Sequence, residues 1–139
     1  MSTPKGTGES VTCTIAPMLS VRQGARAVEF YKAAFGATEA YRVDAPDGAV
    51  VCRLAVNAAE FWAADESPEH ANFSPETLGG GTVRMVFTVA DPDAMFAKAI
   101  AAGARQVVAM DNSHGWRLGR VVDPFGHHWE IGRPLQNRK

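Results

Sequence analysis

Cysteine is scarce: there are two in 139 residues, Cys13 and Cys52. Neither sits in a Cys-x-x-Cys pair or a Cys/His zinc spacing, so a structural zinc module is not expected. Both fall inside expected strands, which suits free buried thiols and a cytoplasmic location. Long hydrophobic runs are also missing. Nothing approaches 18 consecutive apolar residues, and no transmembrane helix is expected. Residues 1–10 lack the apolar core of a signal peptide and read as a disordered leader. There is no excess of either charge. Fourteen Lys and Arg against fifteen Asp and Glu give a formal net charge of −1, which argues against a nucleic-acid-binding surface. What is present is ordinary: 46% hydrophobic and 21% charged residues, in a length that suits one domain with a real core.

The order of elements carries more. Residues 11–21 read as a strand, 25–35 as a helix stopped by Gly36, 38–44 and 49–56 as a hairpin turned at Asp47-Gly48, and 60–64 as a further strand. Residues 65–77 are polar and contain Pro68 and Pro75, and three glycines follow at 79–81. The pattern then restarts. Residues 82–89 read as a strand, and a helix opens at Asp91-Pro92 and runs to Ala102 before Gly103. Strands follow at 105–109 and 116–122, then a tight turn and a last strand around Trp129-Glu130-Ile131. The order is βαβββ twice. Val21 and Val28 match Val89 and Phe96 at an offset of 68, while Gly36-Ala37 and Trp62 match Gly103-Ala104 and Trp129 at 67. Such recurrence indicates two equivalent modules, about 11–66 and 80–133, with a connector at 67–79 and a short tail at 136–139.

The most informative stretch is Asp123-Pro124-Phe125-Gly126-His127-His128-Trp129-Glu130. Asp-Pro and Phe-Gly are turn signals. Alternation on the last strand sends Trp129 and Ile131 to one face and His128 and Glu130 to the other. The first face reads as core. The second carries a carboxylate and an imidazole that an apolar core would not accept.

Together with Ala27-Val28-Glu29-Phe30-Tyr31-Lys32, Phe35-Gly36, Phe87-Thr88-Val89-Ala90-Asp91-Pro92-Asp93 and Ala102-Gly103-Ala104, this stretch resembles the vicinal-oxygen-chelate superfamily of glyoxalase I, bleomycin-resistance proteins and extradiol dioxygenases. Gly115, Arg117, Gly119 and Arg120 further resemble its PhnB-like branch. The resemblance implies an α+β fold: two βαβββ modules forming a curved, incompletely closed eight-stranded sheet around a cavity, with helices outside. It also implies a homodimer, since members commonly complete the cavity across two chains. In metal-using members four ligands come from the first and last strands of each module. Carried over, those positions are Ala16, Ala63, Arg84 and Glu130. Two alanines cannot ligate, and an arginine opposes a dication, so no metal cofactor is favoured. The alternative is a divalent ion, Zn, Ni, Mn or Fe, on Glu130 and His128.

The expected cavity wall holds Arg84, Val86 and Thr88 on one strand, Phe61 and Ala63 on another, and Trp116, Leu118 and Arg120 on a third unless a bulge at Gly119 inverts them. Met18 and His128 join it, and Phe73 is a lid candidate. Trp62 and Trp129 are expected in the core. Arg84 and Glu130 are expected to face one another and pair, or to offer a guanidinium fork to an anionic or carbonyl-bearing ligand. Four readings stay open. One is a metal-independent small-molecule-binding protein for an aromatic or polar ligand. Another is a metal-dependent lyase or dioxygenase. The others are metal-free acid–base catalysis by Glu130, and a decayed site filled by the Arg84–Glu130 pair.

Overall fold

The computed structural model describes residues 10–136. The leader reading therefore lies outside the described residues except for Ser10, as does the tail reading except for Gln136.

Twelve residues from Gly24 form helix α1 (Gly24–Phe35), whose buried Ala27, Val28, Tyr31, Ala34 and Phe35 recur at three- and four-residue spacing. Gly36, at φ +70°, closes it in the left-handed conformation that favours glycine. Around it lie β1 (Met18–Val21), β2 (Thr38–Asp44), β3 (Val50–Val56) and β4 (Ala59–Asp65). They form one sheet in the order β1-β4-β3-β2. The connector contains a 3-10 turn at Pro68–His70 and the four-residue helix α2 (Pro75–Leu78). The second module repeats the first. It has β5 (Arg84–Thr88), α3 (Pro92–Ala102), β6 (Arg105–Ser113), β7 (Trp116–Val122) and β8 (His128–Pro134), in the sheet order β5-β8-β7-β6. Asp91 caps α3 by accepting from the Ala94 amide at 3.1 Å. The α+β class and the two βαβββ modules are as expected: the described residues form eight strands in two mixed four-stranded sheets, with no closed barrel among them.

The helices cover one face of each sheet, and the two covered faces share a core. Tyr31 of α1 packs edge-on to Phe61 of β4 at 5.2 Å and lies 5.6 Å from Trp129 of β8. Phe35 reaches Phe87 of β5 at 5.0 Å. Such pairs contribute about 0.5–1.5 kcal/mol each beyond the apolar area they bury. At the centre Asp123 is buried. Its Oδ2 accepts from Tyr31 Oη at 2.5 Å and from Trp129 Nε1 at 2.9 Å. Its Oδ1 accepts from the Phe125 and His127 amides, both at 2.9 Å. Burial, with the Asp123 carboxylate next to it, pushes the Tyr31 hydroxyl well above its ordinary pKa. The Asp-Pro-Phe-Gly turn is thus a structural hub tying α1 to β8.

Several expectations are corrected. The first strand is only Met18–Val21. Val11 and Ile15 are exposed ahead of it, Ala16 precedes it, and Cys13 is exposed rather than buried. Val83 precedes β5 and is 69% exposed, so it does not pack on the helix side. The strand expected at 105–109 continues to Ser113 through two register shifts.

The repeat offset is also corrected. Parallel pairing aligns Met18 with Trp62 and Val86 with Glu130. Met18 and Val86 are each six residues ahead of their helix start. Trp62 therefore matches Glu130, and Phe61 matches Trp129, at 68. The helix α3 is one residue shorter than α1, which gives the 67 offset just after the helices. The Trp62/Trp129 match at 67 is a coincidence of residue type, and it puts β4 one residue out of phase. A one-residue shift moves every side chain of a strand to the other face.

Candidate functional site

The helix-free face of the second sheet gathers the polar groups. On β8, Trp129 and Ile131 are buried while His128 and Glu130 are half-buried on the opposite face. On β5, Met85 and Phe87 pack on the core, leaving Arg84, Val86 and Thr88 on that same helix-free face. On β7, Arg117 turns to α3, where its Nη2 meets Asp93 Oδ2 at 2.7 Å. Alternation therefore puts Trp116, Leu118 and Arg120 on the helix-free face. The β7–β8 register runs unbroken through Gly119, so no bulge inverts it.

Glu130 is the centre of this face. Its Oε2 lies 3.3 Å from Arg84 Nε and accepts from Arg120 Nη2 at 3.1 Å. The Arg84–Glu130 pairing expected from the sequence is present, and Arg120 joins it because β7 sets Arg120 directly opposite Glu130. Two guanidinium groups share one carboxylate, so the cluster carries an excess positive charge. Arg120 Nε is buried with no hydrogen-bond partner, and so is Nδ1 of His128. Burial first, and then the Arg120 charge, pull the His128 imidazole below its usual pKa. A groove of about 210 Å³ runs beside the cluster, lined by Val108, Asp111, Leu118, Arg120 and Glu130 among others. Trp116 lies four residues from Arg120 along β7, about 13 Å at ~3.3 Å per residue, outside that groove.

Two expected wall residues are elsewhere. Phe61 and Ala63 are buried in the core on the helix side of β4. Trp62, expected in the core, is on the helix-free face of the first sheet. There Arg53 stacks over its ring at 5.5 Å and Tyr41 meets it edge-on at 6.0 Å. Met18, as expected, stands on that face, in register with Trp62. Arg53 and Tyr41 were not singled out from the sequence. The signal for them was the 68-residue offset, which turns β4 over and brings Trp62 onto their side.

The corrected positions for a superfamily metal are Ala16, Trp62, Arg84 and Glu130. Only Glu130 is a ligand type, and its carboxylate already binds two guanidinium groups. Among the described residues no three His, Cys, Asp or Glu side chains cluster closely enough to hold an ion. The residues present do not fit a divalent metal at this position.

A protein-family model described as "Glyoxalase-like domain" matches residues 17–132. Uncharacterized protein Mb0911c of Mycobacterium bovis is 39% identical over 132 residues, covering 91% of this chain and 87% of that protein. An Arabidopsis thaliana gene product, At5g48480, has a crystal structure that is 30% identical. It covers 86% of this chain and 96% of its own, at a TM-score of 0.63. The fosfomycin resistance protein FosX of Listeria monocytogenes, complexed with Mn(II) and sulfate ion, shares the fold at 12% identity. It covers 90% of this chain and 94% of its own, at a TM-score of 0.67.

Proposed function

The chain belongs to the glyoxalase-like domain family of the vicinal-oxygen-chelate superfamily, and we propose that it is a metal-independent small-molecule-binding protein of the bleomycin-resistance type. Its ligand is an aromatic or polar organic molecule bearing an anionic or carbonyl oxygen, held by the guanidinium donors of Arg84 and Arg120 that flank Glu130. The observation that carries this reading is the Arg84–Glu130–Arg120 cluster at a superfamily metal position. Its excess positive charge and the unpartnered Arg120 Nε offer donors in fork geometry to such an oxygen. Gly115, Arg117, Gly119 and Arg120 support the PhnB-like branch. Free Cys13 and Cys52 suit a reducing compartment, the cytoplasm.

The working form is a homodimer. Both sheets leave one face uncovered in a single chain. Tyr41, Val43 and Val51 on the first sheet and Val86 and Val108 on the second are exposed apolar groups, a pattern that marks interaction surfaces. A partner's aromatic face over the Arg84–Glu130–Arg120 cluster would close a cavity with one apolar and one charged wall.

The test is fluorescence titration with benzoate, acetophenone and larger aromatic carboxylates and ketones. Saturable quenching that is lost in Arg120→Gln supports the reading, and no saturable response from any of them overturns it. A second reading is favoured by one observation: Glu130, two residues from His128 on one face, is a carboxylate at a superfamily metal position. In that reading the protein is an enzyme in which Glu130 acts as a metal-free general base.

A further inference from the structure

A second cavity, of about 370 Å³, opens at the seam between the modules. It lies between the start of β1, the end of the connector and the start of β8, and shares no lining residue with the groove beside Glu130. Its volume falls in the range of small-molecule sites.

The chemistry of its wall is distinctive. Met18, Phe73, Leu78 and Val83 all line it, and all four are exposed to solvent. Exposed large apolar side chains scattered singly need no explanation, but four converging on one cavity do. Among the described residues no Asp, Glu, Lys or Arg lines it. The polar groups of the wall include His128, whose Nδ1 is buried without a partner. The floor is fixed, because His127 Nε2 donates to the Ser20 carbonyl across the seam at 2.9 Å.

The connector wall is anchored at α2, and the Gly79 and Gly80 amides both donate to the Pro75 carbonyl, at 2.8 and 3.1 Å. Glu66 accepts from the Ser74 amide at 2.8 Å and from the Thr77 hydroxyl at 2.8 Å, which holds α2 against the first module. Past α2 come Gly79, Gly80 and Gly81, and a Cβ at any of them would meet nothing within 4 Å. Glycines impose the least restriction on backbone rotation, so Leu78 and Val83 flank the segment best able to adjust to an occupant.

We infer that this seam is a binding site for a small, neutral, flat apolar molecule carrying one hydroxyl or carbonyl, with the connector as its adjustable wall and His128 as its hydrogen-bond partner. The absence of charge on the wall selects against an anion, which separates this ligand class from the one proposed for the Arg84–Glu130–Arg120 cluster. The inference goes beyond the proposed function and does not depend on it.

The probe is 2-naphthol, titrated into the full chain labelled with ¹³C at its methionine methyls. The expected result is a saturable shift of the Met18 methyl signal. Leu78→Glu and Val83→Asp change exposed residues and are expected to weaken binding at least tenfold, with the Met85 methyl signal of the core unmoved. His128→Ala is expected to weaken 2-naphthol binding severalfold and naphthalene binding not at all. Arg120→Gln is expected to leave 2-naphthol affinity within twofold. No saturable Met18 shift overturns the inference, as does binding indifferent to both Leu78→Glu and Val83→Asp. Loss of 2-naphthol binding in Arg120→Gln also overturns it, since the probe then sits in the groove and only the proposed function survives. A Met18 signal that moves with protein concentration alone overturns it in favour of a second copy in the seam.

Discussion

Trp62 and Glu130 stand at equivalent positions of the two modules, 68 residues apart. Each is paired in parallel with the first strand of its own module, Trp62 with Met18 and Glu130 with Val86. One module puts an indole stacked under Arg53 at that position, and the other a carboxylate between Arg84 and Arg120. The pseudo-symmetric frame is kept while the chemistry is divided, aromatic on one sheet and ionic on the other.

The ionic half makes a prediction with opposite signs. Arg120→Gln removes the half-buried partner of Glu130 and should abolish binding of an anionic aromatic ligand. It should cost about 1.5–3 kcal/mol of stability, the range for a hydrogen bond to a charged group. Glu130→Gln frees both guanidinium groups and should tighten the same ligand severalfold. Calorimetric titration of the two variants reads both effects.

Asp123 should matter more to stability than any residue of the binding face. It accepts from two side chains and two amides inside the core. Asp123→Ala strands those donors, each of which costs about 1–3 kcal/mol when left buried and unsatisfied. Partial relaxation leaves an expected net loss of about 3–5 kcal/mol in denaturant unfolding. Tyr31→Phe removes one donor only and should cost less than half as much.

The connector should loosen in acid. Glu66 is held below its ordinary carboxylate pKa by the Ser74 amide first, and then by the Thr77 hydroxyl and Arg22. A lowered folded-state pKa means stability that is present above the unfolded value and lost as pH falls through the folded one. Amide exchange at Ser74 and Thr77, corrected for its intrinsic pH dependence, should therefore rise only below the usual carboxylate value of 4.5. Glu66→Gln should show the raised exchange at neutral pH.

Association is expected from the two uncovered sheet faces. Sedimentation at micromolar concentration should give a dimer, and Val86→Glu, on an exposed site of the second sheet, should give a monomer. A wild-type monomer under those conditions contradicts the dimer.

Much of this was legible in the sequence because local signals agreed with the fold. Gly36 and Gly103 end helices, Asp91-Pro92 opens one, and Asp47-Gly48 turns a hairpin. The alternation on β5 and β8 put Arg84 and Glu130 on one face, where they meet. The facing of β4 was lost because Trp62 and Trp129 share a residue type but not a position, and strand parity does not forgive one residue. The first strand was overextended because Val11 and Ile15 suit a strand by propensity, yet no neighbouring strand pairs with them among the described residues. Propensity does not supply a pairing partner. Arg120 reached Glu130 through the register of β7 on β8, a long-range feature that the Gly115, Arg117, Gly119, Arg120 pattern marks without explaining.

The most direct test of the central claim is elemental analysis by mass spectrometry. It would use protein purified without chelator, before and after addition of Ni²⁺, Zn²⁺, Mn²⁺ and Fe²⁺. The account predicts no metal above background in either sample, with binding of the aromatic carboxylate unchanged by added metal. One metal per chain, lost in Glu130→Ala, would contradict it and make Glu130 a ligand of an enzyme.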